Sequence, residues 1–413
     1  MSELINNQSM RIQTLKEVIL HLHRGEAPEA VKERLKGLVA EVDPAEIAAM
    51  EQQLMADGMS SDEVRAMCDM HAEVLKEVSA KPCPSMPLPA GHPVHQFKAE
   101  NAALLEAVAQ VRKSAGALAD LADRSTPTEA RLALLAALQP VMDVEKHYRR
   151  KENLVFSVLE RHGNTGPSKV MWGKDDEVRE LLKATTQALR EETLCGEELK
   201  ILAASVLEPA LAALEGMVYK EEHILLPMCQ GLFTEEEWAE IWRQSPEYGW
   251  CLVAPGDAYR PAEAQVDTGA IRLPDAQTVA FASGTLSFQQ LQALFSTLPV
   301  DLTLVDAQDR VAFFSEGPDR VFERSRAIIG RHVQNCHPPK SVHIVDRILA
   351  DFRAGRQSVA EFWIQMGGKF IHIRYFALRD AGGAYLGTLE VTQDLTRLRA
   401  LEGDRRLLQY EEA

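Results

Sequence analysis

Two segments decide the reading of this chain: HYRRKENLVFS at 147–157 and MVYKEEHILLP at 217–227, which align without a gap. Position one is His147 in the first copy and Met217 in the second. Positions five and six are Lys151-Glu152 and Glu221-Glu222, each followed by one polar and three apolar residues, with Ser157 in the place of Pro227. Both copies have helical character, and residues at i, i+4 and i+5 can project toward one side of a helix. Two such helices packed together would therefore gather His147, Glu152, Glu221 and Glu222 around a common point. Buried carboxylates need a partner, and a cation supplies one. The alternative is a pair of solvated helix faces with ordinary Glu/Lys pairing.

Outward from these segments the chain reads as helical. Long helices are expected at about 93–121, 129–161, 170–192 and 196–229, joined by short connections into a bundle. The linker KPCPSMPLPAGHP (81–93) delivers His92 as a cap, Pro93 as first helical residue and His95 in the first turn. FTEEEWAEIW (233–242) is a short capped helix closing the bundle, and 246–285 reads as an interdomain tether that Trp250 and Tyr259 can partly order. Before the linker, residues 10–78 form a small helical module. In it Cys68 and His71, three apart, are a weak metal or haem-iron pair set against ordinary packing.

After Leu286 the periodicity changes. FQQLQALFSTL is a short helix, DLTLVD and RVAFFS form a hairpin, and three further strands follow, split by Gly367-Gly368 and Ala381-Gly382-Gly383. An antiparallel sheet with helices on one face results. NCHPPKSVHIVDRIL sets Cys336, His337 and His343 where a helix begins, as haem or redox candidates. The alternative is that Pro338-Pro339 starts the helix and Val342, Val345, Ile348 and Leu349 pack it on the sheet. Trp363, Tyr375 and Phe376 read as core, and the charged stretch 395–410 as a signalling or dimerising tail.

Composition narrows the function. At 413 residues two to four domains are expected, and a net charge of −16 argues against nucleic acid as a partner. The polar start MSELINNQSM and the lack of a membrane-length apolar run point to a cytoplasmic protein without a membrane partner. Its six cysteines show no CxxC spacing and fit reduced thiols. No P-loop, dinucleotide glycine fingerprint or GxSxG elbow is present.

The bundle resembles the hemerythrin HHE cation-binding family, in which four helices hold a metal pair through histidines and carboxylates. The matching positions are His95 or His92, then His147 with Glu152, and Glu221-Glu222; the third helix offers Asp175, Asp176 and Glu177. Met217 stands where that family's fourth helix carries a histidine, and the third helix has none. The last part resembles PAS sensor domains, through its opening strands, RYFALRDAGGAYLGTLEVTQDLT and the closing Asp394-Leu395-Thr396. The whole is similar to bacterial DUF438-type proteins. The expected fold is thus a multidomain chain: an all-α module (1–80), a four-helix hemerythrin-like bundle (81–243), a linker (244–285), an α+β PAS domain (286–397) and a tail (398–413). The resemblance implies a sensor or regulatory protein rather than an enzyme. Its bundle would hold non-haem iron, as a diiron centre or with manganese or zinc instead, with Asp176 joining the ligands. A small diatomic or redox ligand, an unidentified signalling partner, haem in the PAS domain and a homodimer through that domain belong to the same expectation. A ferritin-like carboxylate oxidoreductase acting on peroxide or dioxygen is the alternative, and a scaffold with a vestigial metal site is the third reading.

Overall fold

The structure is a computed structural model. It describes residues 88–261 and 278–403 apart from 124, 282, 318 and 319, together with 50, 52–59, 63 and 64. Cys68, His71 and most of the tail lie outside the described residues. The chain divides into two compact units, a helical one followed by a sheet-containing one.

In the helical unit, α1 is Pro93–Gly116, capped by His92, whose Nδ1 accepts the Val94 N–H at 3.2 Å. The second helix, α2, runs through consecutive segments Thr128–Met142, Val144–Arg150, Lys151–Val155 and Phe156–Arg161. Next come α3, Gly166–Arg190, and α4, Gly196–Leu232. Glu235–Gln244, α5, has Thr234 and Glu237 as a reciprocal capping box. The core is ordinary aliphatic packing, with Leu104, Val108, Leu138, Leu182 and Leu214 essentially inaccessible.

One feature departs from the sequence expectation. By length and composition α4 is apolar enough to cross a membrane, against the expectation of no such run. It nevertheless carries the buried charges Lys220 and Glu221 and packs along α3 as a bundle helix. The start of the tether, where Trp250 and Tyr259 lie, is ordered onto the bundle. The Tyr259 N–H donates to the Ala90 carbonyl at 2.8 Å, and Gln96 Nε2 donates to the Val253 carbonyl at 2.7 Å. Gly91, at φ +95°, lets the strap close, because a Cβ there would collide with the Gly256 carbonyl.

In the second unit, the hairpin β1 (Thr278–Phe281) and β2 (Gly284–Ser287) precedes helix α6 (Phe288–Thr297). The main sheet holds β3 (Asp301–Asp306), β4 (Val311–Phe314), β5 (Val359–Met366), β6 (Lys369–Arg379) and β7 (Tyr385–Asp394) in the order β4-β3-β7-β6-β5. All its pairings are antiparallel, and α7 (Pro339–Arg353) lies across one face. The fold is therefore all-α followed by α+β, as the periodicity implies. Trp363 corrects its assignment to the core: it is 63% exposed, on the face away from α7.

Candidate functional site

Each copy of the repeated segment contains one turn of π-helix, and both turns fall at the same positions: Lys151–Val155 in α2 and Glu221–Leu225 in α4. A π turn inserts a residue into the helical register and re-aims the side chains around it, often where function sits. Here position five of each copy is turned into the bundle interior. Lys151 and Glu221 meet there, with Nζ donating to Oε1 at 2.5 Å. Lys151 also donates to Asp175 Oδ1 of α3 at 2.8 Å.

His147, fully buried, lies between two carboxylates. Its Nδ1 is 2.8 Å from Glu100 Oε2 and its Nε2 is 2.8 Å from Glu221 Oε2. An ionised carboxylate only accepts, so both ring nitrogens donate and the ring is an imidazolium. Burial opposes that charge, but Glu221 and Glu100 outweigh it and hold the His147 pKa above its ordinary value. The same balance acts on Glu221. Burial alone would raise its carboxyl, yet Lys151 and His147 bring it down to about 2. For Lys151, burial is likewise overcome by Asp175 and Glu221, so the ammonium stays charged.

Glu100 is saturated. Besides His147 it accepts from Arg150, from Gln96 Nε2 at 2.9 Å and from the Cys251 N–H at 3.1 Å. Arg150 is buried, with its guanidinium over the rings of Phe97 (4.9 Å) and Trp250 (4.7 Å). Glu152 faces α3, where Arg179 holds it in a bidentate pair at 2.7 and 2.9 Å and also reaches Asp176 at 3.2 Å. Four carboxylates (Glu100, Glu152, Asp175, Glu221) are thus matched by Arg150, Lys151, Arg179 and the His147 imidazolium.

The structure joins only some of the sequence-chosen ligands. His147 and Glu221 touch, and Glu152 lies beside them on Arg179. Asp176 is half-buried at the edge of that pair. His92 caps α1 and packs on Trp238 and Tyr259, with burial and then His95 lowering its pKa to about 4. His95 points to solvent, and Glu222 is half-buried outside the contacts of the cluster. The residues the sequence reading did not place in the site are Glu100, Arg150, Lys151 and Arg179; of the third-helix carboxylates it offered, Asp175 is the one that reaches Lys151.

This donor set does not fit a metal centre. Every carboxylate in it is already paired with a side-chain cation, and an ammonium bridges Asp175 and Glu221 where a ligand pair would have to open toward an ion. The one imidazole has no free nitrogen, and Met217, its counterpart in the repeat, is a buried apolar side chain. Among the described residues no three His, Cys, Asp or Glu side chains are grouped to hold a metal.

The second candidate site lies between α7 and the sheet. A cavity of about 210 Å³ has walls from Val305, Val345, Leu349, Phe362 and Ile373 and polar groups from His337, Tyr375, Thr388 and Glu390. Pockets for drug-sized ligands run to roughly 300–1,000 Å³, so a haem macrocycle exceeds this space. Of the three haem or redox candidates, His337 lines the cavity, with burial lowering its pKa. His343 is exposed on the far side of α7, and Cys336 packs against Val311, Phe314 and Ile328 with its thiol 3.7 Å from the His332 carbonyl. Tyr375, expected as core, is part of the cavity wall.

Family models match three stretches of the chain. Residues 92–229 match the hemerythrin HHE cation binding domain, residues 291–396 a PAS domain, and residues 15–80 a family of unknown function, DUF438. Among solved structures, the C-terminal domain of a Streptococcus mutans protein is 30% identical, over 31% of this chain and 99% of its own, with a TM-score of 0.30. A PAS domain from Colwellia psychrerythraea is 17% identical (26% and 97% covered, TM-score 0.22). A sensory box sensor histidine kinase from Vibrio cholerae is 14% identical (26% and 89% covered, TM-score 0.21). No curated protein matches the chain.

Proposed function

We propose that this chain, a DUF438-type segment followed by a hemerythrin-type bundle and a PAS domain, is a sensor protein whose input is a small molecule in the PAS cavity. The observation that carries this reading is the cavity itself: about 210 Å³ between α7 and the sheet, apolar in its walls and polar on its floor. An apolar recess that opens to solvent and holds a few polar groups is the usual form of a small-molecule site. Ligand occupancy would bias the position of α7 on the sheet, and that difference is the signal available to a partner or a second copy.

In this reading the bundle is a module stapled by its own charges. The non-haem iron centre implied by the hemerythrin match, and the oxidoreductase alternative with it, needs carboxylates open to a metal. Those of this chain are closed by Arg150, Lys151 and Arg179. The test is metal analysis and an absorption spectrum on untagged full-length protein purified without added metal. Far less than one metal per chain and no Soret band are expected. One or two irons per chain, lost in Glu221→Ala, would return the iron centre to first place and sink the charge-stapled reading.

A further inference from the structure

The inner face of the central strand β7 is built the wrong way round for a core. Its side chains alternate between faces, and those turned toward α7 are Thr388, Glu390 and Thr392, at 3%, 8% and 1% exposure. Those turned away are Leu389 and Val391. A half-buried strand ordinarily shows the opposite pattern, apolar inward and polar outward. Glu390 is the costliest member. It sits mid-strand, opposite Tyr375 on β6 and Thr303 on β3, and it lines the cavity.

Among the described residues its protein partners leave acceptor positions open, with His337 on the same cavity wall. The Thr392 hydroxyl donates to Oε1 at 3.1 Å, and the Arg324 guanidinium stands at 3.8 Å, beyond hydrogen-bond length. A carboxylate offers about four acceptor positions. A polar floor under apolar walls, with a carboxylate short of donors, is the arrangement of a recognition site rather than of packing.

We propose that the cavity binds a single-ring molecule, neutral or cationic, that presents N–H donors to Glu390 while its ring lies against Val345, Phe362 and Ile373. The size comes from the volume: apolar cavities of about 150 Å³ hold one benzene, and about 210 Å³ adds a short substituent. The head group comes from charge, since an amine, amide, amidine or ring N–H completes Glu390 whereas an anion of the same size repels it. This inference rests on the sensing reading above and specifies its ligand.

The experiment compares benzamidine, benzoate and toluene by calorimetric titration into full-length wild type, Glu390→Gln and Val345→Trp. Benzamidine is expected to bind wild type at least about tenfold more tightly than benzoate, the worth of one charge-assisted hydrogen bond or more. Glu390→Gln should remove that preference, and Val345→Trp, which fills the space, should abolish binding of all three. Equal affinity for benzamidine and benzoate, or a preference that survives Glu390→Gln, overturns the proposed head group. Binding of toluene alone does so too, while leaving the cavity as a ligand site. Binding that survives Val345→Trp overturns the location. No binding of any of the three to wild type removes both this inference and the sensing reading beneath it.

Discussion

The bundle and the PAS domain both bury carboxylates, and they treat them in opposite ways. In the bundle Glu100, Glu152, Asp175 and Glu221 each meet a protein cation at hydrogen-bond or ion-pair distance, and no room for a ligand is left between the partners. In the PAS domain Glu390 has, among the described residues, one hydroxyl at hydrogen-bond distance, the Arg324 guanidinium at 3.8 Å, His337 across the same cavity, and the cavity itself. A buried charge costs several kcal/mol unless it is paired. The difference is whether the chain neutralises it internally or leaves that to something else. The first arrangement specifies a packing, and the second specifies a ligand.

The largest expected effect breaks the bundle side of this contrast. Lys151→Met leaves Asp175 without its ammonium and Glu221 with His147 alone, and should cost about 3–5 kcal/mol. It is read from the urea transition followed by tryptophan fluorescence, since Trp172, Trp238, Trp242 and Trp250 all lie in this unit. A cost below about 1 kcal/mol would mean that the network is not what holds the helices.

Next comes pH. Glu221 has a folded pKa of about 2 against an ordinary 4.5, so its contribution is fully present above pH 4.5 and is lost as pH falls through the folded value. The stability gap between wild type and Glu221→Gln should therefore be about 3 kcal/mol near neutrality and close progressively between pH 4.5 and 2. A gap independent of pH would separate Glu221 from the charges assigned to it. His92 gives a second window. Its pKa is depressed to about 4 by burial, so wild type should lose stability as pH falls from 6.5 toward 4. His92→Asn, which keeps a capping side chain, should lack that loss in thermal melts.

The PAS side predicts a smaller effect of the other sign. Glu390→Leu removes an under-satisfied buried charge, and Arg324, already partly exposed, can turn to water. Ligand-free protein should then be unchanged or gain up to about 1 kcal/mol. A loss of more than about 2 kcal/mol would make Glu390 a structural ion-pair partner and erase the comparison. Smallest of all is Arg112→Ala, which opens a surface pairing with Glu208 and Glu215 and should cost about 0.5 kcal/mol in the same urea assay.

Much of the architecture was legible because it is encoded locally. Proline at Pro93, the capping boxes at Thr234 and Ser287, and the glycine turn at Gly367-Gly368 punctuate the chain where the elements begin and end. The candidate site was legible only in part. The gapless repeat pointed to the two helices whose His147 and Glu221 meet, and its fifth position already showed Lys151 opposite Glu221. That mismatch was the available signal for an ion pair, but attention to carboxylates passed over the lysine. The polar inner stripe Thr388, Glu390, Thr392 was also visible in YLGTLEVTQD, yet it cannot be called inward-facing until the strand's faces are known.

By itself, then, the sequence determined the order of modules, the helices, the strands and which residues carry charge, since each depends on neighbours a few positions away. Only the tertiary structure decided where those charges go. Two π turns shift the helical register at Lys151 and Glu221, and one inserted residue rotates the rest of the helix by roughly 100°. Which cation meets which carboxylate, and which one is left facing a cavity, depends on contacts between residues far apart in sequence, such as Glu100 with His147 and Glu390 with Arg324.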